Sequence, residues 1–110
     1  MRHVLEGYGW TVRGLEGAGD WLALKDGKVL HVEVKRQEVL RLPLWTRQAL
    51  AECPRGARPV VAFRANRQPW QAVTPEPLLP ARLETVGVPL LLNAEWWRCL
   101  RLDDLCAIIA

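Results

Sequence analysis

Two apolar-rich runs flank the dipeptide Asp26-Gly27. An Asp-Gly pair between two such runs is a strong β-hairpin signal, because both loop positions need a positive φ angle. The pattern predicts strands over residues 20–25 and 28–36, joined by a two-residue loop. Such a short loop also determines which residues face each other across the hairpin.

The predicted register brings acidic residues together. If Lys25 faces Lys28, counting outward places Asp20 directly opposite Glu33. Opposed side chains have Cβ atoms about 4.5–5.5 Å apart, and two carboxylates at that distance repel. A divalent cation between them would remove the conflict. Lys35 lies two residues after Glu33 and therefore on the same face, so the hairpin predicts a metal site with an ammonium group beside it.

Further elements are predicted around the hairpin from apolar spacing, glycines and prolines. They are a helix tail over residues 1–8, a strand over 10–13, a glycine-rich loop over 14–19, a connector over 37–42, a helix over 44–53 with Pro43 in its first turn, a strand over 58–64, a turn over 65–69, a strand over 70–73, an irregular stretch over 74–93 with a short helix near 76–84, a strand over 95–102 and a helix over 104–109 capped by Asp103. In the helix over 44–53, we expect Leu44, Gln48 and Ala51 along one side, with Trp45 and Ala49 beside them.

The order strand, helix, strand predicts a parallel pair formed by residues 28–36 and 59–64, because a crossover helix joins parallel neighbours. We therefore expect an α/β fold with a central mixed β-sheet flanked by helices. A chain of 110 residues is long enough for one hydrophobic core, so a single domain over residues 1–110 is expected.

Composition narrows the partners only slightly. The net charge of +3 and the pI near 9.1 permit a nucleic-acid partner without requiring one. Three cysteines without a CxxC spacing favour free thiols in a reducing cytoplasm and disfavour a structural zinc site. No apolar run is long enough to span a membrane, and the chain does not begin with a signal-peptide pattern. The six tryptophans fit core packing, with base stacking as the alternative.

Other enzyme chemistries are poorly supported. Serine is absent from the chain, and no cysteine lies near a histidine in the sequence. A glycosidase pair is disfavoured, because Asp20 and Glu33 are expected closer than the roughly 5–5.5 Å that such carboxyl groups need. His31 shares the face of Glu33; a general-base role is one interpretation and a packed histidine is the other.

The order of these motifs resembles the PD-(D/E)xK nuclease superfamily, and within it the small archaeal and phage Holliday-junction resolvases. The resemblance covers residues 9–64. It rests on the segments Gly9-Trp10-Thr11-Val12-Arg13, Gly17-Ala18-Gly19-Asp20-Trp21 and His31-Val32-Glu33-Val34-Lys35, on Trp45 and Gln48 in the following helix, and on Val60-Val61-Ala62-Phe63-Arg64.

The resemblance implies a restriction-endonuclease-like fold and Mg²⁺-dependent hydrolysis of DNA, with Mn²⁺ as a possible substitute. Asp20 and Glu33 would bind the metal together with the main-chain carbonyl of Val34. Lys35 would orient or activate the attacking water. Gln48 would assist catalysis, with a solvated surface amide as the alternative.

The same resemblance implies branched DNA, such as a four-way junction, as the substrate, and a homodimer. The leucines and tryptophans of residues 78–109 are the candidates for its interface. DNA contacts are predicted for basic residues that could equally be solvated surface charges, namely Arg13, Arg36, Arg64 and Arg67. The rival hypotheses are a repair or restriction-type nuclease of the same superfamily, a DNA-binding module with a degenerate site, and a structural dimer.

One feature of the resolvases has no counterpart in the predicted site. They carry a further glutamate in the first helix, about three turns before the turn that Gly9-Trp10 represents here. Counting back from Gly9 passes the first residue of this sequence, and the acidic residue found there, Glu6, is too close to that turn. Three interpretations stay open: a shortened start, a site that works with two carboxylates, or reduced activity, with Glu6 as a weak third candidate.

Overall fold

The computed structural model describes residues 1–14, 20–35, 39–65, 67–76 and 86–109. The predicted glycine-rich loop and the predicted short helix lie outside these ranges except for the first residue of each.

The described residues form a mixed sheet of seven strands with three helices. In chain order the elements are α1 (Arg2–Gly7), β1 (Thr11–Gly14), β2 (Asp20–Lys25), β3 (Lys28–Lys35), α2 (Leu42–Glu52), β4 (Arg58–Phe63), β5 (Gln71–Pro75), β6 (Val88–Leu92), β7 (Glu95–Arg101) and α3 (Leu102–Ile108). Across the sheet the strand order is β1-β2-β3-β4-β5-β7-β6. β3 and β4 are parallel, and the other neighbouring pairs are antiparallel. The predicted α/β fold and the predicted parallel pair are confirmed.

The hairpin has the predicted register. Lys25 pairs with Lys28 and Asp20 pairs with Glu33. The loop residues Asp26 and Gly27 have φ angles of 49° and 77°, as the turn requires. Residues only a few positions apart therefore determine the geometry at the far end of the hairpin.

Two apolar clusters attach helices to opposite faces of the sheet. Leu5 of α1 and Leu105 of α3 belong to the cluster on one face. Trp45 and Ala49 of α2 belong to the cluster on the other face, where Trp45 packs against Phe63 with ring centroids 6.3 Å apart. The sheet is thus covered on both sides, and only one of the two faces meets α2.

Helix α2 packs one of its sides against the sheet. Its buried residues are Trp45, Thr46 and Ala49, whereas Leu44 and Gln48 are exposed. The Thr46 hydroxyl donates a hydrogen bond to the carbonyl of Leu42, which allows this polar side chain to be buried. The row that begins with Leu44 therefore faces solvent along the helix.

Two predictions near the end of the chain are wrong. Residues 88–92 were predicted as irregular because of the prolines in that part of the chain, but they form β6. Among the described strands β6 lies at an edge with a partner on one side only, and Pro89 is tolerated there. Gly87 permits this pairing: its φ is +78°, and a Cβ there would lie 2.4 Å from the carbonyl oxygen of Cys99. Asp103 lies in the first turn of α3 and does not cap it, because the helix begins at Leu102 with Arg101 in the cap position.

No described helix has the length and apolar character needed to cross a membrane.

Candidate metal centre

The pair Asp20 and Glu33 lies on the face of the sheet that α2 covers. Glu33 pairs with Val61 of β4, whose side chain packs in the α2 cluster, and paired residues point to the same side. The two acidic side chains are buried, with exposed fractions of 8% for Asp20 and 2% for Glu33. Buried carboxylates require compensation by hydrogen bonds, protons or cations.

A third carboxylate joins this pair. Glu52, the last residue of α2, offers a carboxylate oxygen that lies, with one from Asp20 and one from Glu33, in a group whose members are all within 4.8 Å of one another. The sequence reasoning missed Glu52. One available signal was its spacing of four residues from Gln48, which places both on the same side of the helix.

The surroundings of the Glu33 carboxylate favour a bound cation. Both carboxylate oxygens are buried, and neither has a hydrogen-bond partner among the described residues. An ionised carboxylate in that position is unfavourable. The group is expected either to take a proton and become neutral or to bind a metal ion. Three carboxylate oxygens that converge within 4.8 Å provide the hard oxygen ligands that Mg²⁺ and Mn²⁺ bind.

The electrostatics of the cluster favour protons when no cation is bound. Burial, the nearby Glu52 carboxyl and the negative charge of Asp20 raise the pKa of Glu33 to about 7. Burial is also the main cause that raises the pKa of Asp20, and it is opposed by the nearby His31 and Lys35. At neutral pH the group therefore holds or shares protons that a divalent cation can displace.

We expect the metal-free protein to lose stability as the pH rises. The Glu33 carboxyl titrates at an ordinary pKa of 4.5 in the unfolded chain and at about 7 in the folded protein. Between these values the folded state binds more protons than the unfolded state, so the free energy of unfolding falls with pH. The contribution of this group is about 3 kcal/mol across the interval.

Urea unfolding in EDTA at a series of pH values measures this contribution. Adding Mg²⁺ at alkaline pH should restore stability, because the cation binds the ionised carboxylates of the folded state. A free energy of unfolding that stays constant or rises from acidic to alkaline pH in EDTA would contradict the prediction.

Lys35 lies close enough to influence both buried acids. Its positive charge lowers the pKa of Asp20 and of Glu33 against the effect of burial. The backbone carbonyl of Lys35 accepts a hydrogen bond from the amide of Arg64, which anchors the end of β3 to the end of β4. Between Glu33 and Lys35, the side chain of Val34 packs on the opposite face of the sheet; the role of its carbonyl as a metal ligand stays a prediction.

His31 is a buried neighbour of the site. It is 3% exposed, and its Nε2 lies 3.6 Å from Oδ2 of Asp20. Its Nδ1 has no hydrogen-bond partner among the described residues. The histidine thus contacts one side of the Asp20 carboxylate and can hold its orientation.

Gln48 and Arg13, which were predicted to assist at the site, are both exposed. Gln48 is exposed on α2, one turn before Glu52 and on the same side of the helix. Arg13 is exposed on β1 and pairs with Leu22, which pairs with His31, so Arg13 points to the α2 face of the sheet. The roles of both residues at the site stay predictions.

The other predicted basic residues are only partly described. Arg64 is exposed just after β4, and its Nε donates a hydrogen bond to the carbonyl of Gln68. Arg67 is exposed with a φ angle of 58°. Arg36 lies outside the described residues.

Glu6, the weak third candidate, is not part of this carboxylate group. It lies on α1, which packs on the opposite face of the sheet from α2. Its carboxylate forms an exposed ion pair with Arg2, with 2.9 Å between Oε1 and Nε.

The fold matches a solved nuclease structure. It is similar to Hjc, a Holliday junction resolvase from the archaeal hyperthermophile Archaeoglobus fulgidus, with a TM-score of 0.53 and 16% sequence identity over 97% of this chain and 98% of that chain. At this identity the likeness demonstrates a shared fold. No family model matches the sequence, and no curated protein matches it.

Proposed function

We propose that this chain is a divalent-metal-dependent endonuclease of the PD-(D/E)xK superfamily that cleaves branched DNA, such as a four-way junction. The proposal combines the resolvase-like fold with the acidic cluster beside Lys35. The single observation that carries it is that the buried Glu33 carboxylate, one of a group of three, has no hydrogen-bond donor among the described residues.

In this proposal Asp20, Glu33 and the carbonyl of Val34 hold Mg²⁺, with Mn²⁺ as a substitute. Hard oxygen ligands suit both ions, and a small number of protein carboxylates leaves coordination positions for water and phosphate oxygens. The bound cation would neutralise charge on the scissile phosphate and lower the pKa of a coordinated water.

The neighbouring residues supply positioning and charge. Lys35 orients the attacking water and offsets the negative charge that develops on the phosphate. His31 holds the Asp20 carboxylate through its Nε2. Gln48, one turn from Glu52 on the exposed side of α2, donates from its amide to a phosphate oxygen or a water at the entrance of the site.

Contacts with the DNA backbone are assigned to the exposed basic residues Arg13, Arg64 and Arg67, together with Arg36. These contacts would orient the substrate without reading sequence. Two copies of the chain act together, because paired symmetric cuts in a junction need two sites. Exposed apolar side chains of β6 and β7, among them Leu91 and Trp96, supply surface for that interface.

The test is cleavage of a labelled four-way junction in Mg²⁺, with a linear duplex and a flapped duplex built from the same arm sequences. We expect paired nicks in the junction, no cut in the linear duplex, and loss of cleavage in Glu33→Ala and in EDTA. Cleavage of linear or flapped duplex at an equal rate would instead favour the repair or restriction-type nuclease.

Binding assays at low salt separate the remaining rivals. A chain that binds the junction but leaves it intact in Mg²⁺ and in Mn²⁺ is a binding module with a degenerate site. A chain with no affinity for any of the three DNA forms is not a nuclease of this kind.

A further inference from the structure

Glu52 occupies a position in which a glutamate is locally unfavourable. It is the last residue of α2, at the negative end of the helix dipole, and no basic residue lies in the last turn. Its carboxylate also lies within 4.8 Å of those of Asp20 and Glu33, and negative charges at that distance repel one another. Side chains that break local rules without an evident gain in packing are concentrated at functional sites.

Packing does not explain this residue. The side chain is exposed, so its apolar part contributes little to the core. The buried side of α2 is formed by Trp45, Thr46 and Ala49, and these residues hold the helix on the sheet without Glu52.

A cation at the cluster would offset both the unfavourable position of Glu52 at the helix end and the repulsion among the carboxylates. It would compensate the helix end, separate the three carboxylate charges and provide a partner for the buried oxygens of Glu33, which have none among the described residues. Glu33 is 2% exposed, and its carboxylate is a member of the same group of converging oxygens as that of Glu52. The unpartnered buried carboxylate is the observation that points to a ligand.

We propose that Glu52 is the third carboxylate ligand of the divalent cation, delivered by the C-terminal end of α2. The inference rests on the proposed function for the identity of the site. It adds a carboxylate to the Asp20 and Glu33 pair expected from the sequence, and it places the third acidic group on the helix that follows β3 instead of the first helix.

The position of α1 supports this assignment. α1 packs on the face of the sheet opposite the cluster, and its Glu6 pairs with Arg2. A carboxylate on that helix would have to act from the other side of the sheet. α2, in contrast, packs on the same face as Glu33 and ends at the cluster.

The assignment has a mechanical consequence. A cation that is bound by Asp20, Glu33 and Glu52 joins the end of α2 to the β2–β3 hairpin. Gln48 lies one turn earlier on the same helix side, so cation binding would hold its amide at the entrance of the site. Cation affinity and the placement of Gln48 are thereby coupled.

The experiment compares full-length Glu52→Gln with Glu95→Gln as the matched control. Glu95 is an exposed glutamate at the start of β7, so the control makes the same change of charge away from the cluster. Isothermal titration with Mn²⁺ at alkaline pH measures cation affinity without DNA, and circular dichroism checks that both variants are folded.

We expect Glu52→Gln to weaken Mn²⁺ binding by at least about tenfold, since even outer-shell partners of a metal change affinity by 10–100-fold. Glu95→Gln should stay within about twofold of the wild type. In cleavage assays the defect of Glu52→Gln should shrink as the Mg²⁺ concentration rises, which a merely misfolded variant would not show.

The outcomes separate this inference from the proposed function. Unchanged Mn²⁺ affinity in Glu52→Gln overturns the role of Glu52, whatever the DNA assays give. If Glu52→Gln loses Mn²⁺ affinity but the wild type cuts no DNA, Glu52 is a cation ligand and the nuclease proposal fails.

Discussion

Replacing Glu33 with glutamine is expected to reduce DNA cleavage by about a thousandfold or more while making the metal-free protein more stable. A bound metal supplies several kcal/mol of transition-state stabilisation, and each about 1.4 kcal/mol is a tenfold change in rate. Glu33 is the most deeply buried of the three carboxylates, at 2% exposed. Its loss should therefore affect cation binding more than the loss of an exposed ligand.

The gain in stability has a separate cause. Burial and neighbouring carboxyls raise the pKa of Glu33 to about 7, so at alkaline pH the folded protein carries a buried charge that the unfolded chain exposes to water. Glutamine is neutral, has nearly the same shape, and its amide N–H groups can donate to Glu52 or Asp20. We expect an increase of about 1–3 kcal/mol in the free energy of unfolding at alkaline pH in EDTA.

Urea unfolding in EDTA and junction cleavage in Mg²⁺ measure the two effects on the same protein. Glu95→Gln serves as the control, because it removes an exposed carboxylate at the start of β7 and should change neither quantity. Cleavage near the wild-type rate, or a less stable metal-free variant, would contradict the prediction and remove Glu33 from the metal centre.

Replacing Lys35 with methionine is expected to reduce cleavage by about 10²–10⁴-fold, the usual range for a positioned proton-transfer group, while cation binding persists. Methionine keeps most of the length of the side chain and removes the ammonium group. The positive charge of Lys35 acts on Asp20 and Glu33, so its removal also lessens repulsion of a bound cation. Mn²⁺ affinity at alkaline pH should therefore stay the same or increase.

Lys28→Met is the matched control. Lys28 lies at the turn end of the same strand, and its Nζ donates a hydrogen bond to the carbonyl of Ile109. Seven positions along a strand place it about 23 Å from Lys35. Single-turnover cleavage rates and Mn²⁺ titrations of both variants test the role of Lys35. Equal cleavage by Lys35→Met and wild type excludes Lys35 from the reaction. A loss of Mn²⁺ affinity that parallels the loss of cleavage would give Lys35 a structural role instead.

The acidic cluster lowers the stability of the metal-free protein and at the same time provides the affinity for a cation. The cluster of Asp20, Glu33 and Glu52 concentrates negative charge in a group within 4.8 Å, which disfavours the folded metal-free protein. The same concentration creates affinity for a cation. Natural proteins commonly retain such unfavourable groups where they have a function.

Much of the sheet was predictable because its signals are local. The Asp26-Gly27 turn determines a register over the six pairs from Lys25–Lys28 to Asp20–Glu33, and the strand–helix–strand order determines the parallel neighbour of β3. The edge strand β6 was missed for the opposite reason. Its sequence contains Pro89, and its pairing depends on β7 and on the close approach of Gly87 to the backbone of Cys99.

The pairing of Asp20 with Glu33 and the position of Lys35 on the same face follow from local sequence, since a two-residue turn and the alternation of side chains along a strand fix both. Glu52 joins them through the packing of α2 on the sheet. The position of the end of α2 depends on how Trp45 packs against Phe63 and the rest of its cluster, contacts between residues far apart in the chain. No local pattern encodes where such packing directs the last turn of a helix, so the third carboxylate emerges only from the folded protein.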